Sequence, residues 1–235
     1  MDKESISLNK YISSTGICSR RVADTWIEAG RVTINDTIAQ KGNRVFDGDR
    51  VHVDGKPLKS KPRPVYIKYN KPPGVTCTTD RSDKSNIIDR IDYKERIFPI
   101  GRLDKNSTGL ILLTNDGDIV NKVLRKENRH EKEYIVKVDR SITKKFIQRM
   151  TKPIPMLGTK TLPCKVIQVK EDIFRIILTQ GLNRQIRRMC EFCDYRVLSL
   201  KRVRIMKIKL DGLKSGEWKY LSDKEEQELH NKTTS

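Results

Sequence analysis

The chain has 235 residues, enough for a small module beside one larger domain. Its 36% hydrophobic and 34% charged residues suit a folded core under a heavily charged surface, and no run approaches the roughly 18 consecutive apolar residues of a membrane helix. The 49 Lys and Arg against 30 Asp and Glu, a net charge of +19, make a polyanion the expected partner.

The start, Met1-Asp2-Lys3-Glu4-Ser5, is polar, which predicts no leader and a cytoplasmic address. Leu8, Tyr11 and Ile12 suggest a short helix. Ser19 can cap a second over 20–29, with Val22, Trp26 and Ile27 on one face and Gly30 as its stop. Residues 31–36 alternate like a strand entering a turn, and 45–49 and 50–55 continue as short strands broken by Asp-Gly turns. Lys56-Pro57-Leu58-Lys59-Ser60-Lys61-Pro62-Arg63-Pro64 holds three prolines and four basic residues and cannot build a core, so it reads as an extended linker. At about 3.3 Å per residue it spans at most about 30 Å.

From Val65 onward longer strands alternate irregularly with helices. Strands are expected over 65–69, 110–113, 134–138, 165–169 and 174–178, with a long one over 197–210 that sets Val203, Ile205, Ile208 and Leu210 on one side of basic residues. Helices are expected over 118–124, 143–150 and 184–192, and Ser222 with Glu225 forms a capping box for a last one. The pattern predicts an α+β fold with a mostly antiparallel mixed sheet flanked by helices. Five scattered cysteines argue against a disulfide framework. Cys190 and Cys193 form a C-x-x-C without two further ligands at zinc spacing, so they read as buried thiols, and neither a metal nor a cofactor is expected.

Two segments carry chemistry. In Pro99-Ile100-Gly101-Arg102-Leu103-Asp104-Lys105-Asn106-Ser107-Thr108-Gly109-Leu110 a carboxylate lies between two glycines just before a hydrophobic strand, on a loop held by a rigid element. Spacing alone does not separate this from an aspartate that caps a turn. In Gly181-Leu182-Asn183-Arg184-Gln185-Ile186-Arg187-Arg188-Met189-Cys190 basic residues fill the first helical turn above an apolar face of Ile186, Met189, Cys190 and Cys193. An arginine beside Asp104 would favour its ionised form, and others could neutralise phosphates. Between Gly181 and Lys209, nine basic residues face only Glu191 and Asp194. No apolar membrane-surface face accompanies them, which favours nucleic acid over lipid.

Gly101-Arg102-Leu103-Asp104 with Ser107-Thr108-Gly109-Leu110, then Lys132-Glu133-Tyr134, then Asn183-Arg184-Gln185-Ile186-Arg187-Arg188, resemble the ordered motifs of the pseudouridine synthases. Asn70-Lys71-Pro72-Pro73-Gly74 resembles the opening motif of that family. Leu8-Asn9-Lys10-Tyr11-Ile12 through Cys18-Ser19-Arg20-Arg21 to Val51-His52-Val53 resembles the S4 RNA-binding module. The order is that of the branch whose A type modifies small-subunit ribosomal RNA and whose B, E and F types modify large-subunit ribosomal RNA. The segments around His130 and Gln180 are most similar to the F type.

The resemblance implies an S4-like module over 5–60, a basic linker over 61–64 and a pseudouridine-synthase domain over 65–235. It implies an isomerisation in which the N-glycosidic bond of a uridine is cut, the base turns, and C5 joins the same ribose carbon. Asp104 matches the essential aspartate. Tyr134 matches the tyrosine that packs on the base and assists proton removal from C5. Arg187 matches the basic partner of the aspartate, and Arg102 the arginine that fills the space left by the flipped base. Ile186 would pack near the base. Asn183, Arg184, Arg188 and Lys71 are further candidate RNA contacts, and Lys10, Arg20, Arg21 and Arg31 are candidate phosphate contacts of the module. The implied substrate is a stem-loop of large-subunit (23S) ribosomal RNA, engaged by a monomer without membrane or cofactor. The alternatives are the same chemistry on small-subunit ribosomal RNA or tRNA, or a non-catalytic ribosome-assembly factor. A DNA-binding helix-turn-helix is disfavoured, because 30–35 runs into a strand where a recognition helix would stand.

Overall fold

The computed structural model describes residues 4–124 and 129–231. Met1, Asp2 and Lys3 of the polar start, and the final 232–235 of the expected catalytic domain, lie outside the described residues. The chain divides into two compact units: Met1–Val65 with Lys94–Arg96 and Asn115–Gly117, and Tyr66–Tyr93 with Ile97–Thr114 and Asp118–Ser235.

In the first unit β1 (Ser5–Ser7) leads into α1 (Leu8–Ser14) and α2 (Arg20–Glu28), then β2 (Val32–Ile34), β3 (Thr37–Ile38), β4 (Arg44–Phe46), β5 (Val51–Val53) and β6 (Lys56–Pro57). Ser19 caps α2 by accepting from the Val22 nitrogen at 3.2 Å, satisfying one of the orphan donors of the first turn. Leu8, Ile12, Ala23 and Ile27 of the helices are buried against Val32, Val45, Val51 and Val53. Two residues join β2 to β3 and two join β5 to β6, and all four have positive φ (Asn35 50°, Asp36 68°, Asp54 51°, Gly55 71°). Such two-residue turns match the twist of antiparallel strands. Two expectations need correction. Val22 is exposed while Ala23 takes the inner position, because the buried stripe of α2 runs Ala23–Ile27 at a spacing of four. Lys56 and Pro57 are not linker: they pair with Val53 and His52, and the Leu58 nitrogen donates to the Val51 carbonyl.

The second unit contains β7 (Tyr66–Lys71), α3 (Ile87–Ile91), β8 (Phe98–Ile100), β9 (Thr108–Thr114), α4 (Gly117–Leu124), β10 (Lys132–Val138), α5 (Lys144–Met150), β11 (Pro155–Met156), β12 (Thr159–Lys160), β13 (Lys165–Lys170), β14 (Ile173–Leu178), α6 (Gln185–Phe192), β15 (Val197–Ile205), β16 (Ile208–Lys209), β17 (Trp218–Tyr220) and α7 (Asp223–Asn231). Its nine-stranded sheet runs β13-β14-β10-β15-β9-β7-β17, with β16 on β15 and β8 on β9. The pairings are antiparallel except β9 with β15. One core packs α5 and α6 on β10, β13 and β14; a second packs α4 and α7 on β7, β8 and β9. Strand β15 gives Leu200 to the first and Ile205 to the second. The single strand expected over 197–210 is a hairpin instead: Met206 turns at φ 51° and Ile205 pairs with Ile208.

Candidate active site

The Asp104 loop is fixed at both ends. On one side the Leu103 nitrogen donates to the Cys77 sulfur at 3.4 Å. On the other the Ser107 nitrogen donates to the Asp104 carbonyl at 3.0 Å, closing a turn with the backbone rather than the carboxylate. Ser107 is buried, and the chain then enters β9. The Asp104 carboxylate is therefore not consumed as a turn cap.

Lys71, at the end of β7, is completely buried. Its ammonium donates to the carbonyls of Pro72 (3.0 Å), Val75 (2.9 Å) and Lys105 (3.1 Å), and the Gly74 nitrogen also donates to Lys105. Burial pulls this ammonium below the ordinary lysine value. The sequence expectation of an RNA contact at Lys71 is thus corrected: all three of its protons are engaged inside the fold, and it ties the residue after Asp104 to the β7 terminus.

Opposite lies α6. Arg184 enters it in the left-handed region, φ 50°, and Gln185, buried, accepts from the Leu182 nitrogen at 3.0 Å. Ile186, Met189 and Cys190 anchor the helix in the first core, and burial pushes the Cys190 thiol far above its ordinary value. That anchoring points Arg187 at the loop. Its Nε lies 3.6 Å from an Asp104 carboxylate oxygen, while its terminal nitrogens donate to the Ser107 hydroxyl (3.3 Å) and the Val197 carbonyl (3.4 Å). Arg187 is mostly buried and Asp104 about one-third exposed (13% and 34%), so the carboxylate is the member of the pair open to a ligand.

The floor is sheet. Tyr134 on β10 stands opposite Arg202 of β15 and Ile176 of β14, and packs against the first core. Arg202 is buried, with Nε donating 2.7 Å to the Leu110 carbonyl. Lys132, two residues before Tyr134, donates to the His130 carbonyl at 3.2 Å. Burial, reinforced by the Arg202 charge, lowers its ammonium from the ordinary value.

Together these elements line a cleft of about 600 Å³. Of the residues singled out in the sequence, Asp104, Tyr134, Arg187, Arg102, Ile186, Asn183 and Arg184 all line it. Arg188 is turned back, its Nε donating to the Asn183 carbonyl. In the first unit Arg20 and Arg21 are exposed and Lys10 is half-buried. Arg31 is gripped by Asp54 through two hydrogen bonds of 2.9 and 2.6 Å and lies over Trp26. Lys132, Arg202, Gln185, Ser107 and Cys77 line the cleft or hold its loop and were not singled out. For Arg202 a signal existed: it sits in phase with Leu200 on an alternating strand, an arginine at an inward position.

Residues 65–192 match the family described as RNA pseudouridylate synthase, and residues 7–51 match the S4 domain. The chain is 52% identical over 223 residues to the dual-specificity RNA pseudouridine synthase RluF of Escherichia coli (strain K12), covering 94% of this chain and 77% of that protein. It is 33% identical over 232 residues to the ribosomal large subunit pseudouridine synthase B of Bacillus subtilis (strain 168), covering 94% of each. A crystal structure of a pseudouridylate synthase superposes with a TM-score of 0.71 at 26% identity, over 95% of this chain and 99% of that one.

Proposed function

The chain belongs to the RNA pseudouridylate synthase family, and we propose that it converts one uridine of large-subunit (23S) ribosomal RNA to pseudouridine, with Asp104 as the essential residue. It is an RNA-modifying isomerase with an S4 RNA-binding domain. The observation that carries the finer reading is the approach of Arg187 to Asp104 in the same cleft as Tyr134.

A uridine within a stem must leave the stack to enter such a cleft, at a cost of a few kcal/mol that stacking and phosphate contacts offset. Tyr134 offers a ring for the extruded base. Exposed Arg102, Arg184 and Asn183 border the cleft, where they can meet the backbone or the gap left in the helix. Asp104 then faces the ribose. It can attack C1′, stabilise positive charge there, or remove the C2′ proton; Arg187 serves each route by holding the carboxylate in place. In the product C5 has replaced N1 on the ribose carbon, the C5 proton has left, and N1 has gained one.

The choice of large-subunit RNA rests on the F-type motifs and on the relatives they match, one of which bears the large subunit in its name. Since the 52% identical relative is named as dual-specificity, a second RNA target is part of the proposal. The same reading has the enzyme act as a cytoplasmic monomer. Among the described residues no helix is long and apolar enough to cross a membrane. The test is to incubate purified enzyme with unmodified large-subunit RNA, small-subunit RNA and tRNA and to map the pseudouridines formed. A site in large-subunit RNA, reproduced on its isolated stem-loop, is expected; sites confined to small-subunit RNA or tRNA would overturn the target.

A further inference from the structure

The cleft carries an unbalanced charge. Asp104 is the one carboxylate lining it among the described residues, and Arg187 already faces that group. Deeper in the floor Lys132 and Arg202 stand on neighbouring strands, on the same side as Tyr134. Arg202 is only 3% exposed. Its Nε is used by the Leu110 carbonyl, but one terminal nitrogen, Nη2, is buried and has no hydrogen-bond partner among the described residues. A buried guanidinium donor left without an acceptor is costly, and an orphan of this kind calls for an explanation. A ligand acceptor supplies one.

The position selects the acceptor. Phosphates keep their hydration and meet the exposed arginines at the rim. A flat base is what can pass between the walls to a donor on the sheet, next to the ring of Tyr134. Uracil presents only two strong acceptors there, O2 and O4.

Building on the pseudouridine-forming activity, we propose that Arg202, assisted by the charge of Lys132, is a catalytic residue that donates to a uracil carbonyl and stabilises the base as an anion while it is detached from the ribose. Whichever way Asp104 acts, heterolysis of the C1′–N1 bond leaves its electron pair on the base, spread over N1, O2 and O4. The base then returns through C5, forming C1′–C5 with a pair from the ring. The C5 proton is lost and N1 is protonated, which restores a neutral uracil. The negative charge on O2 and O4 exists only between these steps, and donors fixed in advance where charge develops are the arrangement that accelerates a reaction. Burial first, and then the Arg202 charge, lowers the Lys132 ammonium; an anion held beside the two would favour its charged form.

The test uses the full chain and the stem-loop that it modifies, carrying either uridine or 5-fluorouridine at the target. Fluorine withdraws electrons and stabilises the detached anion, so cleavage needs less help from the protein. The rate read is single-turnover loss of the N1-linked nucleoside, which does not depend on release of a C5 proton. Arg202→Met should slow cleavage of uridine by about 100-fold, the scale of losing one preorganised donor, and of 5-fluorouridine by no more than about tenfold. Lys132→Met, which leaves the Arg202–Leu110 bond intact, should show the same selectivity with a smaller loss. It decides the matter alone if Arg202→Met does not fold. Equal losses on the two substrates, or no loss, would overturn the proposal. Failure of the Asp104 assignment has a different signature, since it would leave Asp104→Asn active on uridine.

Discussion

The backbone of Arg202 occupies the place where a side chain on Gly109 would stand. A Cβ there would collide with the Arg202 carbonyl oxygen and lie 2.8 Å from its nitrogen, and Gly109 holds φ +100°. These two residues are partners in the one parallel pairing of the large sheet, β9 with β15. The Asp104 loop runs straight into this junction, so a residue without a side chain sets how closely that loop meets the strand bearing Arg202. Gly109→Ala should therefore cost about 3 kcal/mol, combining overpacking with a disfavoured backbone. Urea unfolding measures this, and a midpoint unchanged from wild type would show that the junction yields without cost.

Lys71 binds the same loop from the other side. Lys71→Met leaves the carbonyls of Pro72 and Val75 without their ammonium donor, while that of Lys105 keeps the Gly74 nitrogen, at about 1–3 kcal/mol for each group left unsatisfied. The expected outcome is a large loss of stability and of turnover, with RNA affinity and its salt dependence preserved in the folded fraction. A variant of normal stability and weakened RNA affinity would restore the RNA-contact reading.

Arg20 and Arg21 follow the Ser19 cap of α2 and are exposed. If they meet phosphates, the double variant Arg20→Gln/Arg21→Gln should lower the slope of log affinity against log salt by about two, roughly one for each phosphate left unneutralised. An unchanged slope would assign them to solvent. Arg31 should contribute less, because Asp54 already holds its guanidinium.

Alkaline stability reports on the buried thiols. Burial raises Cys164 from 9.0 to about 11 and drives Cys190 higher still. An unfolded chain ionises these thiols near pH 9 while the fold keeps them neutral. Stability should thus be intact below pH 9 and decline as pH rises toward 11, by up to about 2–3 kcal/mol for Cys164 at 1.36 kcal/mol per unit. Denaturation curves between pH 8 and 11 should flatten in Cys164→Ala/Cys190→Ala; equal slopes in variant and wild type would remove the argument.

Much of this was legible from residue order. Local signals placed α2 through Ser19, α7 through Ser222 and Glu225, and Asp104 ahead of a hydrophobic strand. Three kinds of feature escaped. The one-turn helix α3 rests on Asn86 accepting from the Asp89 nitrogen and on a left-handed Asp92, too short a segment for periodicity. The break between β15 and β16 is set by a methionine at positive φ, a residue that gives no turn signal. The roles of Lys71 and Arg202 depend on which carbonyls surround them, and two of those, Lys105 for the first and Leu110 for the second, lie more than thirty residues away. Charge counting treats both as RNA ligands or surface charge; strand phase hints at burial for Arg202, but the acceptors that make burial of a cation tolerable come only with the fold.

On the proposed reading, the Asp104 carboxylate, held beside Arg187 in this cleft, performs the isomerisation. This is tested most directly by tritium release from C5-labelled uridine in the target stem-loop, comparing wild type with Asp104→Asn. Release should fall by roughly 10⁴-fold, the scale of losing an essential catalytic group, while RNA affinity stays within about threefold, well under 1.4 kcal/mol. Release by Asp104→Asn at a rate like that of the wild type would contradict it.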